Sequence, residues 1–288
     1  MRKTGMWLSV LAMVVCAGSA PALTTDGSWT DWFTYGGNVA DTTWNENQVT
    51  LLNPNIRTQN DEEGPSPGGG GQDFDIEQIF YFYEDFGPAP NSGGILHIGL
   101  VTGFPSGGTQ NLYAGDMFID LGNTGGYDIA VAVGTENTVA NLGGTRFGQA
   151  WANTNNPNWA LEGVNTPFTN SNPYRVDQDA ANLADNLGQD LAADGRGADT
   201  YTDAVIVAWG GQGVHNFLEI SVVIDGSLEN TLTGIGGGVG LHWTMLCGND
   251  EIDVEDDDPF PPVPEPATMV LLGMGVLGIA LRARRPQC

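Results

Sequence analysis

The sequence predicts an all-β fold, an antiparallel β-sandwich, for residues 23–249 of this 288-residue chain. Glycine is very frequent, with 42 residues, and it recurs in pairs and longer runs along the chain. Between these runs lie short segments rich in Ile, Val, Phe, Tyr and Trp, several of which alternate apolar and polar side chains. Short β-rich segments separated by turn residues are typical of antiparallel sandwiches and barrels.

The predicted strands follow from these segments. The clearest are residues 76–83, 95–102, 116–121, 127–133, 204–209, 217–224 and 241–246. Residues 29–35 and 145–152 are weaker candidates. In the strand over 217–224, Leu218 and Ile220 fall on one face and Glu219 on the other, which is the alternation expected of a half-buried strand in a two-sheet sandwich.

Two further patterns concern a second alternating strand and a single helix. Residues 116–121 also alternate, with Met117 and Ile119 opposite Asp116, which again predicts a half-buried strand. One helix is predicted over residues 176–193, where apolar residues recur at helical spacing although a glycine interrupts them. The helical pattern consists of Ala180, Leu183, Ala184, Leu187 and Leu191.

Residues 1–22 have the three parts of a secretory signal peptide. Arg2 and Lys3 supply the charged start, an apolar run follows, and Ala20-Pro21-Ala22 supplies small residues at a cleavage site. The sequence therefore predicts export through the Sec translocon and cleavage by signal peptidase after Ala22. A lipoprotein signal at Cys16 is less favoured, because Val15 is bulkier than the small residue that precedes such a cysteine.

The C-terminal residues 263–288 combine a short motif, an apolar run and a basic end. Residues 267–281 are uncharged and form a helix of roughly 22 Å at about 1.5 Å per residue, somewhat short for a hydrocarbon core of about 30 Å. Flanking arginines can extend toward head groups, and their position favours a cytoplasmic C-terminus. The motif and basic residues are Val263, Pro264, Glu265, Pro266, Arg282, Arg284 and Arg285.

This order resembles the PEP-CTERM sorting signal of Gram-negative bacteria, which the membrane protease exosortase recognises. The resemblance implies an exported protein held transiently in the inner membrane by its C-terminal helix. Exosortase would then release it to the cell surface or extracellular matrix. The alternatives are a simple single-pass anchor and an apolar tail that arose by chance. Residues 250–262, acidic and then proline-rich, are predicted to be an extended linker.

The predicted domain carries a second pattern of short segments. They are Asp75-Ile76-Glu77, residues 95–103, residues 115–120, Phe217-Leu218-Glu219-Ile220 and residues 242–250. Their order resembles the β-sandwich domain of other PEP-CTERM proteins. Some also resemble carbohydrate-binding jelly rolls of the DOMON and family 9 type, in which a Leu/Val-Glu-Ile strand precedes a final strand. The resemblance implies a jelly-roll-like sandwich.

The charge of the chain excludes one class of partner. The formal net charge is −26. Between residues 23 and 264 the basic residues are only Arg57, Arg146, Arg175 and Arg196. Such a surface repels phosphate backbones, so nucleic-acid binding is excluded, and anionic lipid is disfavoured. Divalent cations and neutral polysaccharide are compatible with it.

No catalytic motif stands out. Cys247 is the one cysteine between residues 23 and 262, so no internal disulfide is expected, and an isolated cysteine is most often a small buried hydrophobe. The chain has no Gly-x-Ser-x-Gly and no His-Glu-x-x-His, and its histidines, His97, His215 and His242, are scattered. Acidic residues are too numerous for any catalytic pair to be chosen.

Calcium is the best candidate for a bound ion. Asp116, Asp120 and Asp128 surround the glycine-rich turn 122–126, and carboxylate oxygens gathered by such a turn suit Ca²⁺. The alternative is that these are turn-favouring residues on a solvated edge. No other cofactor is expected.

Aromatic side chains offer candidates for a sugar-binding surface. Tryptophans in a β-sandwich belong to the core more often than to a binding platform. Trp151 and Trp159, which flank the asparagine-rich residues 153–158, are the best candidates for an exposed pair.

Three functions are therefore weighed. The first is a non-enzymatic surface or extracellular-matrix component, associated with exopolysaccharide and processed by exosortase. The second is a carbohydrate-binding module, and the third is a secreted glycan hydrolase.

Overall fold

The computed structural model describes residues 23–61, 71–85, 93–110, 112–134, 205–224, 237–248 and 250–260 with their side chains. It also describes the backbone of short strands between residues 138 and 176. The strands are β1 Phe33–Tyr35, β2 Val49–Leu51, β3 Arg57–Asn60, β4 Ile76–Asp85, β5 Gly94–Thr102, β6 Asp116–Leu121, β7 Ile129–Ala132, β8 Thr138–Val139, β9 Gly144–Thr145, β10 Ala150–Ala152, β11 Leu161–Glu162, β12 Arg175–Val176, β13 Val205–Gln212, β14 His215–Ile224, β15 Val239–Thr244 and β16 Glu251–Asp256.

Most of these strands belong to two five-stranded sheets. Sheet I has the order β13-β14-β5-β4-β3, and sheet II has the order β10-β7-β6-β15-β16. Every pair of neighbours within both sheets is antiparallel. The remaining pairings are two-stranded, namely β1-β2, β8-β9 and β11-β12. The prediction of an all-β chain with antiparallel sheets is confirmed for the described residues, among which no α-helix occurs.

The main core lies between the two sheets. Alternate residues of β4, β5 and β14 form one wall of it, for example Ile79, Ile98 and Ile220. Residues of sheet II such as Met117 and Trp243 belong to the same buried cluster. Because these side chains are almost wholly removed from water, each contributes about 1.5–3 kcal/mol to folding. Apolar burial between the sheets therefore holds this part of the chain together.

The predicted strands agree closely with the observed ones. Residues 116–121 match β6 in full, and the predictions over 76–83, 95–102, 127–133, 204–209, 217–224 and 241–246 fall on β4, β5, β7, β13, β14 and β15. The weaker candidate over 29–35 divides into a 3-10 turn at Trp29–Asp31 and β1. The candidate over 145–152 covers the end of β9 and all of β10. Six of the described strands have no counterpart in the prediction, namely β2, β3, β8, β11, β12 and β16.

The outer face of the central strands β4, β5 and β14 of sheet I is covered, contrary to the expectation of half-buried strands. The N-terminal segment, residues 23–56, packs across it through Trp29, Trp32 and Phe33, which share a buried cluster with Phe80 and Phe217. Phe33 stacks on Phe80 with ring centroids 4.5 Å apart. Alternation predicted the two faces of β14 correctly, but it gave no sign that both faces are buried.

Glu219 binds the N-terminal segment to sheet I through hydrogen bonds. Its side chain lies at the centre of β14, on the covered face, and is only 1% exposed. One oxygen accepts a hydrogen bond from Trp32 Nε1 at 2.5 Å, and the other accepts from the backbone N–H groups of Gly27 at 2.5 Å and Asp26 at 2.8 Å. Burial raises the pKa of Glu219 to about 7, against the lowering effect of these donors. A buried carboxylate with three donors thus anchors the N-terminal segment to sheet I.

Sheet II also buries side chains on its outer face. Phe118, Ala130 and Ala132 form a small cluster there with Tyr127 packed against it. Strand β12 approaches β6 and β7. Strand β12 therefore lies beside this part of sheet II.

The prediction of an extended linker over residues 250–262 is wrong. Residues Glu251–Asp256 form β16, which pairs with β15 from Val239↔Asp256 to Thr244↔Glu251. Ile252 and Val254 belong to the main core, and Phe260 is only 2% exposed. The acidic residues that suggested a spacer alternate with these apolar ones, so the segment forms an edge strand with a buried face and an acidic face.

Several predictions lie outside the described residues. They concern the signal peptide over 1–22, the membrane helix over 267–281, and all but the first residue of the predicted helix over 176–193. That first residue, Val176, belongs to β12. In the described part of the chain, no helix has the length and apolar character needed to span a bilayer. One compact unit covers Ala22–Pro264.

Replacing Glu219 with alanine is expected to destabilise the domain by about 3 kcal/mol, because the buried donors of Trp32 and Gly27 and the part-buried N–H of Asp26 would lose their acceptor. The measurement is chemical unfolding of the protein lacking residues 265–288, followed by tryptophan fluorescence. Glu255→Ala, on the exposed side of β16, is the matched control and should leave stability nearly unchanged. Equal midpoints for the two variants would contradict the anchoring role.

Candidate functional site

A cleft of about 720 Å³ opens beside the N-terminal layer, at one end of sheet I. Three segments of the chain line it, and they are residues 42–46, the end of β3 with Asn60 and Asp61, and the segment from Gly71 into the start of β4. The 3-10 turn Gln72–Phe74 directs the chain from the third segment into β4. The start of a central strand therefore forms one wall of the cleft.

Carboxylates converge at this cleft. Asp61, Asp75 and Asp250 each offer an oxygen, and these oxygens all lie within 4.8 Å of one another. They come from three separate places, since Asp61 follows β3, Asp75 precedes β4, and Asp250 lies just before β16. Asp250 Oδ2 accepts a hydrogen bond from the backbone N–H of Ile76 at 2.7 Å, which connects sheet II to the start of β4.

A second buried pair lies next to this cluster. Glu77 Oε1 is 3.2 Å from His215 Nδ1, and both side chains are nearly excluded from water, at 7% and 0% exposed. Gln72 Nε2 donates to the same Glu77 oxygen at 2.9 Å. Gln72 and Glu77 both line the cleft. Their hydrogen bonds fix the side chains of this wall.

Trp44 forms an aromatic part of the wall. Its ring stacks on Tyr35 with centroids 4.0 Å apart and planes 3° apart, and its edge meets His215. Trp44 Nε1 donates to Gln78 Oε1 at 3.0 Å. The ring is therefore held in one orientation, with only 7% of the residue exposed.

The clustered acids bind protons more tightly than usual. Burial, together with the negative charges of Glu77 and Asp61, raises the pKa of Asp75 to about 7, against the lowering effect of His215. Burial also raises the pKa of Asp250 to about 9, with Asp61 and Asp75 adding to the effect and the Ile76 N–H opposing it. Near neutral pH the cluster therefore retains protons that free carboxyl groups would lose.

This arrangement can accept hydrogen bonds from a polar ligand, exchange protons, or hold a hard cation through carboxylate oxygens. One oxygen from each of the three aspartates lies within 4.8 Å of the others, close enough for them to contact the same ligand group.

A histidine and two carboxylates meet on the outer face of sheet II. His242 Nδ1 lies 2.6 Å from Asp253 Oδ1 across the β15-β16 pair, and Glu251 offers a third ligand atom within 4.8 Å. The rings of Phe118 and Tyr127 flank His242. Asp253 remains half exposed, with 51% of its side chain accessible. This is the second group among the described residues whose atoms could hold a metal.

Of the predicted calcium ligands, Asp120 and Asp128 lie near each other at the turn between β6 and β7, whereas Asp116 lies apart from them. Asp120 accepts hydrogen bonds from Thr124 N and Oγ1 and from the backbone N–H groups of Gly125 and Gly126. Asp128 Oδ2 accepts from Leu121 N at 2.8 Å. Asp116 is four residues before Asp120 in the extended β6, which places it about 13 Å away along the strand.

These contacts give Asp120 and Asp128 a structural role in the turn between β6 and β7. The turn requires left-handed backbone at Gly122, Asn123 and Gly125, with φ of 88°, 48° and 85°. The Asp120 carboxylate satisfies the N–H groups that this turn exposes. Calcium at this turn stays a prediction, and Asp116 is too distant to contribute to it.

The predictions for the tryptophans concern the core and an exposed sugar-binding pair, and only the first can be compared with the structure. Trp29, Trp32, Trp44 and Trp243 are buried, which confirms the core interpretation for these tryptophans. Trp159 and the side chain of Trp151 lie outside the described residues, so the proposed exposed pair stays a prediction. Cys247 packs against the main core, as expected of a small hydrophobe.

The acids of the cleft were not singled out from the sequence. The sequence places Asp250 in the predicted linker, Asp61 carries no local motif, and Asp75 is named only within the segment Asp75-Ile76-Glu77, without a site role. They meet only because β3 pairs with β4 and β16 pairs with β15. His97, His215 and His242 each lie beside a carboxylate, which nothing in their spacing along the chain indicates.

The domain is expected to lose stability as pH rises from about 5 to 9. The folded-state pKa values of Asp75 and Asp250, about 7 and about 9, lie above the ordinary value of 3.8, so the folded state binds more protons in this interval. The loss should be on the order of 2 kcal/mol after allowance for screening of the partly exposed Asp75. Glu219 contributes in the same direction.

Asp250→Asn tests this expectation, because it removes one charge and keeps an oxygen for the Ile76 N–H. The slope of unfolding free energy against pH should become shallower in this variant. Asp258→Asn, which removes an exposed charge, is the control and should keep the wild-type slope. Identical slopes for both variants would contradict the electrostatic origin of the effect.

Comparison with known proteins gives one match. The PEP-CTERM protein-sorting motif matches residues 262–285. No curated protein and no solved structure matches the chain. The resemblance of residues 23–249 to DOMON and family 9 jelly rolls therefore stays a prediction. The match at the C-terminus confirms what Val263-Pro264-Glu265-Pro266 and the arginines after it predicted, and the chain carries a PEP-CTERM sorting signal.

Proposed function

We propose that this chain is a non-enzymatic component of the cell surface or extracellular matrix of a Gram-negative bacterium. The sorting motif supports an exported protein that exosortase processes. In this proposal the Sec translocon and signal peptidase deliver residues 23–288 across the inner membrane. The C-terminal helix then holds the chain there until exosortase cleaves it. The acidic domain finally acts outside the cell, in association with exopolysaccharide.

The position of the motif is the observation on which the proposal depends. The compact unit ends at Pro264, and the motif covers residues 262–285. A folded domain therefore precedes a sorting signal directly. Removal of the signal would leave the domain and both of its sheets intact, as a released surface protein requires.

Charge supports the proposed setting. With a formal net charge of −26, the chain favours contact with water and is repelled by nucleic acid and anionic lipid. Neutral polysaccharide and divalent cations are compatible partners for such a surface. The sequence contains no recognised nucleophile motif, and this supports a structural or binding role over the glycan-hydrolase alternative.

Deletion of Pro264–Pro266 tests the sorting role. The full chain should be cut to a shorter form that leaves the membrane fraction, whereas the deleted chain should stay full length and membrane-bound. Size and fractionation are followed by immunoblotting in a host that contains exosortase. A full chain that stays uncut, and is retained in the membrane in the same way as the deleted chain, would contradict the proposal.

The cleft favours one alternative, a carbohydrate-binding module. Its lining offers hydroxyl, amide and carboxylate groups from Thr42, Asn60 and Asp75 beside the ring of Trp44, and these are groups that hydrogen-bond and contact sugars. On this alternative, affinity electrophoresis of residues 23–264 on a glycan panel should show retardation. Asp75→Ala should weaken it about tenfold through loss of a hydrogen bond to the ligand.

Trp151→Ala and Trp159→Ala are the matched variants for this experiment, because they test the platform predicted from the sequence instead of the cleft. Sugar release should be measured on the same panel to address the hydrolase alternative. No retardation on any glycan would reject the carbohydrate-binding module.

A further inference from the structure

The domain ends in a short segment that is fastened to sheet I. We call residues 256–260 the C-terminal strap. Arg57, on the edge strand β3, donates from Nη1 to Asp256 Oδ2 and to the carbonyl of Asp258, both at 2.6 Å. Its Nη2 donates to the carbonyl of Pro259 at 2.7 Å. One guanidinium therefore holds three parts of the strap.

Aromatic packing holds the end of the strap. Phe260 is 2% exposed and contacts Tyr81 and Tyr83 in the main core, with ring centroids 6.2 and 5.9 Å apart. The Arg57 guanidinium lies 4.5 Å from the centre of the Phe260 ring. Tyr81 also donates to Asp256 Oδ2 at 2.9 Å. Charge-assisted bonds and a buried ring thus act on the same five residues.

Arg57 is a rare positive charge in an acidic domain. Among residues whose side chains the structure describes, it is the only lysine or arginine. Its side chain is 21% exposed and that of Asp256 is 15% exposed, so the pair is largely shielded from water. A shielded arginine that makes several hydrogen bonds stabilises the strap more than an exposed ion pair would.

The strap lies very close to the sorting motif along the chain. The motif begins at residue 262, and only residues 261–263 separate Phe260 from Pro264. Fully extended chain covers at most about 3.6 Å per residue, so Pro264 lies within about 14 Å of Phe260. Many clefts that recognise peptides bind them in an extended conformation. While the strap is docked, only residues 261–263 therefore separate the last anchored residue from Pro264 of the motif that the protease must bind.

Release of the strap would relieve this constraint. Residues 256–260 would add about 17 Å of extended chain between the domain and the motif. The rest of β16 keeps its pairing with β15, because the register Gly240↔Glu255 to Thr244↔Glu251 does not involve the strap.

We propose that the C-terminal strap must detach before exosortase cleaves, so that Arg57 and Phe260 act as positioning residues that set the rate of processing. This inference rests on the proposed function above, since it assumes that exosortase cuts the chain. It assigns to Arg57, about two hundred residues before the motif, a role in a reaction at the C-terminus.

The experiment is a pulse–chase of the full chain in a host that contains exosortase. Asp256→Asn breaks the ion pair with Arg57 and should speed conversion of precursor to mature protein by about tenfold, the effect of losing one charge-assisted hydrogen bond. Asp258 is bonded to Arg57 through its carbonyl, so Asp258→Asn removes a neighbouring charge, keeps that bond and should leave the rate unchanged. Phe260→Ala should act like Asp256→Asn.

An inserted spacer distinguishes an effect on the access of exosortase to the motif from an effect on the stability of the domain. Six Gly/Ser residues inserted between Pro261 and Pro262 should speed processing of the wild-type chain, and Asp256→Asn should then add no further increase. Val101→Ala, a buried substitution beneath the N-terminal layer, should not change the rate. A structural effect alone would act equally with and without the spacer.

Two results would overturn the inference. Asp256→Asn and Phe260→Ala could be processed at the wild-type rate or more slowly, or the spacer could have no effect. In either case the wild-type chain is still cut, so the proposed function stands while the role of the strap fails. If no form of the chain is cut, the proposed function fails and the inference falls with it.

Discussion

The burial of the central strands of sheet I on both faces is the constraint on which the rest of the structure depends. A strand in the middle of a two-layer sandwich usually has one dry face and one wet face. Here the outer face of β14 lies under the N-terminal segment, so Glu219 is buried in the centre of a sheet. A buried carboxylate is costly unless it is hydrogen-bonded, and Glu219 therefore needs the donors of Trp32, Gly27 and Asp26.

The same constraint creates the cleft. The N-terminal layer places Trp44 beside the beginning of β4, and the connection before β16 places Asp250 against the same strand. Asp61 and Asp75 lie too close to Asp250 for all of the acids to ionise freely. The one arginine whose side chain is described is engaged with the C-terminal strap instead. Such a site can bind protons, a cation or the hydroxyl groups of a ligand.

The sequence predicted the strands well because their signal is local. Alternation in residues 116–121 and 217–224 marks β6 and β14 directly, since neighbouring side chains point to opposite faces. It could not show what covers the second face, because Phe33 and Phe80 are far apart in the chain and meet only after folding. The same limit applies to the cleft, whose acids are supplied by three separated segments. The wrong prediction for residues 250–262 has a related cause. The acidic run and the prolines dominate the composition of this segment and suggest a linker. Its structure depends instead on the alternating Ile252 and Val254, which become buried when the segment pairs with β15.

The position of β16 links folding to sorting. Sheet II is completed by residues 251–256, and the main core is closed by Phe260. These are the last described residues before the motif. On the proposed function, the residues that close the fold are therefore the same ones that precede the segment to be removed.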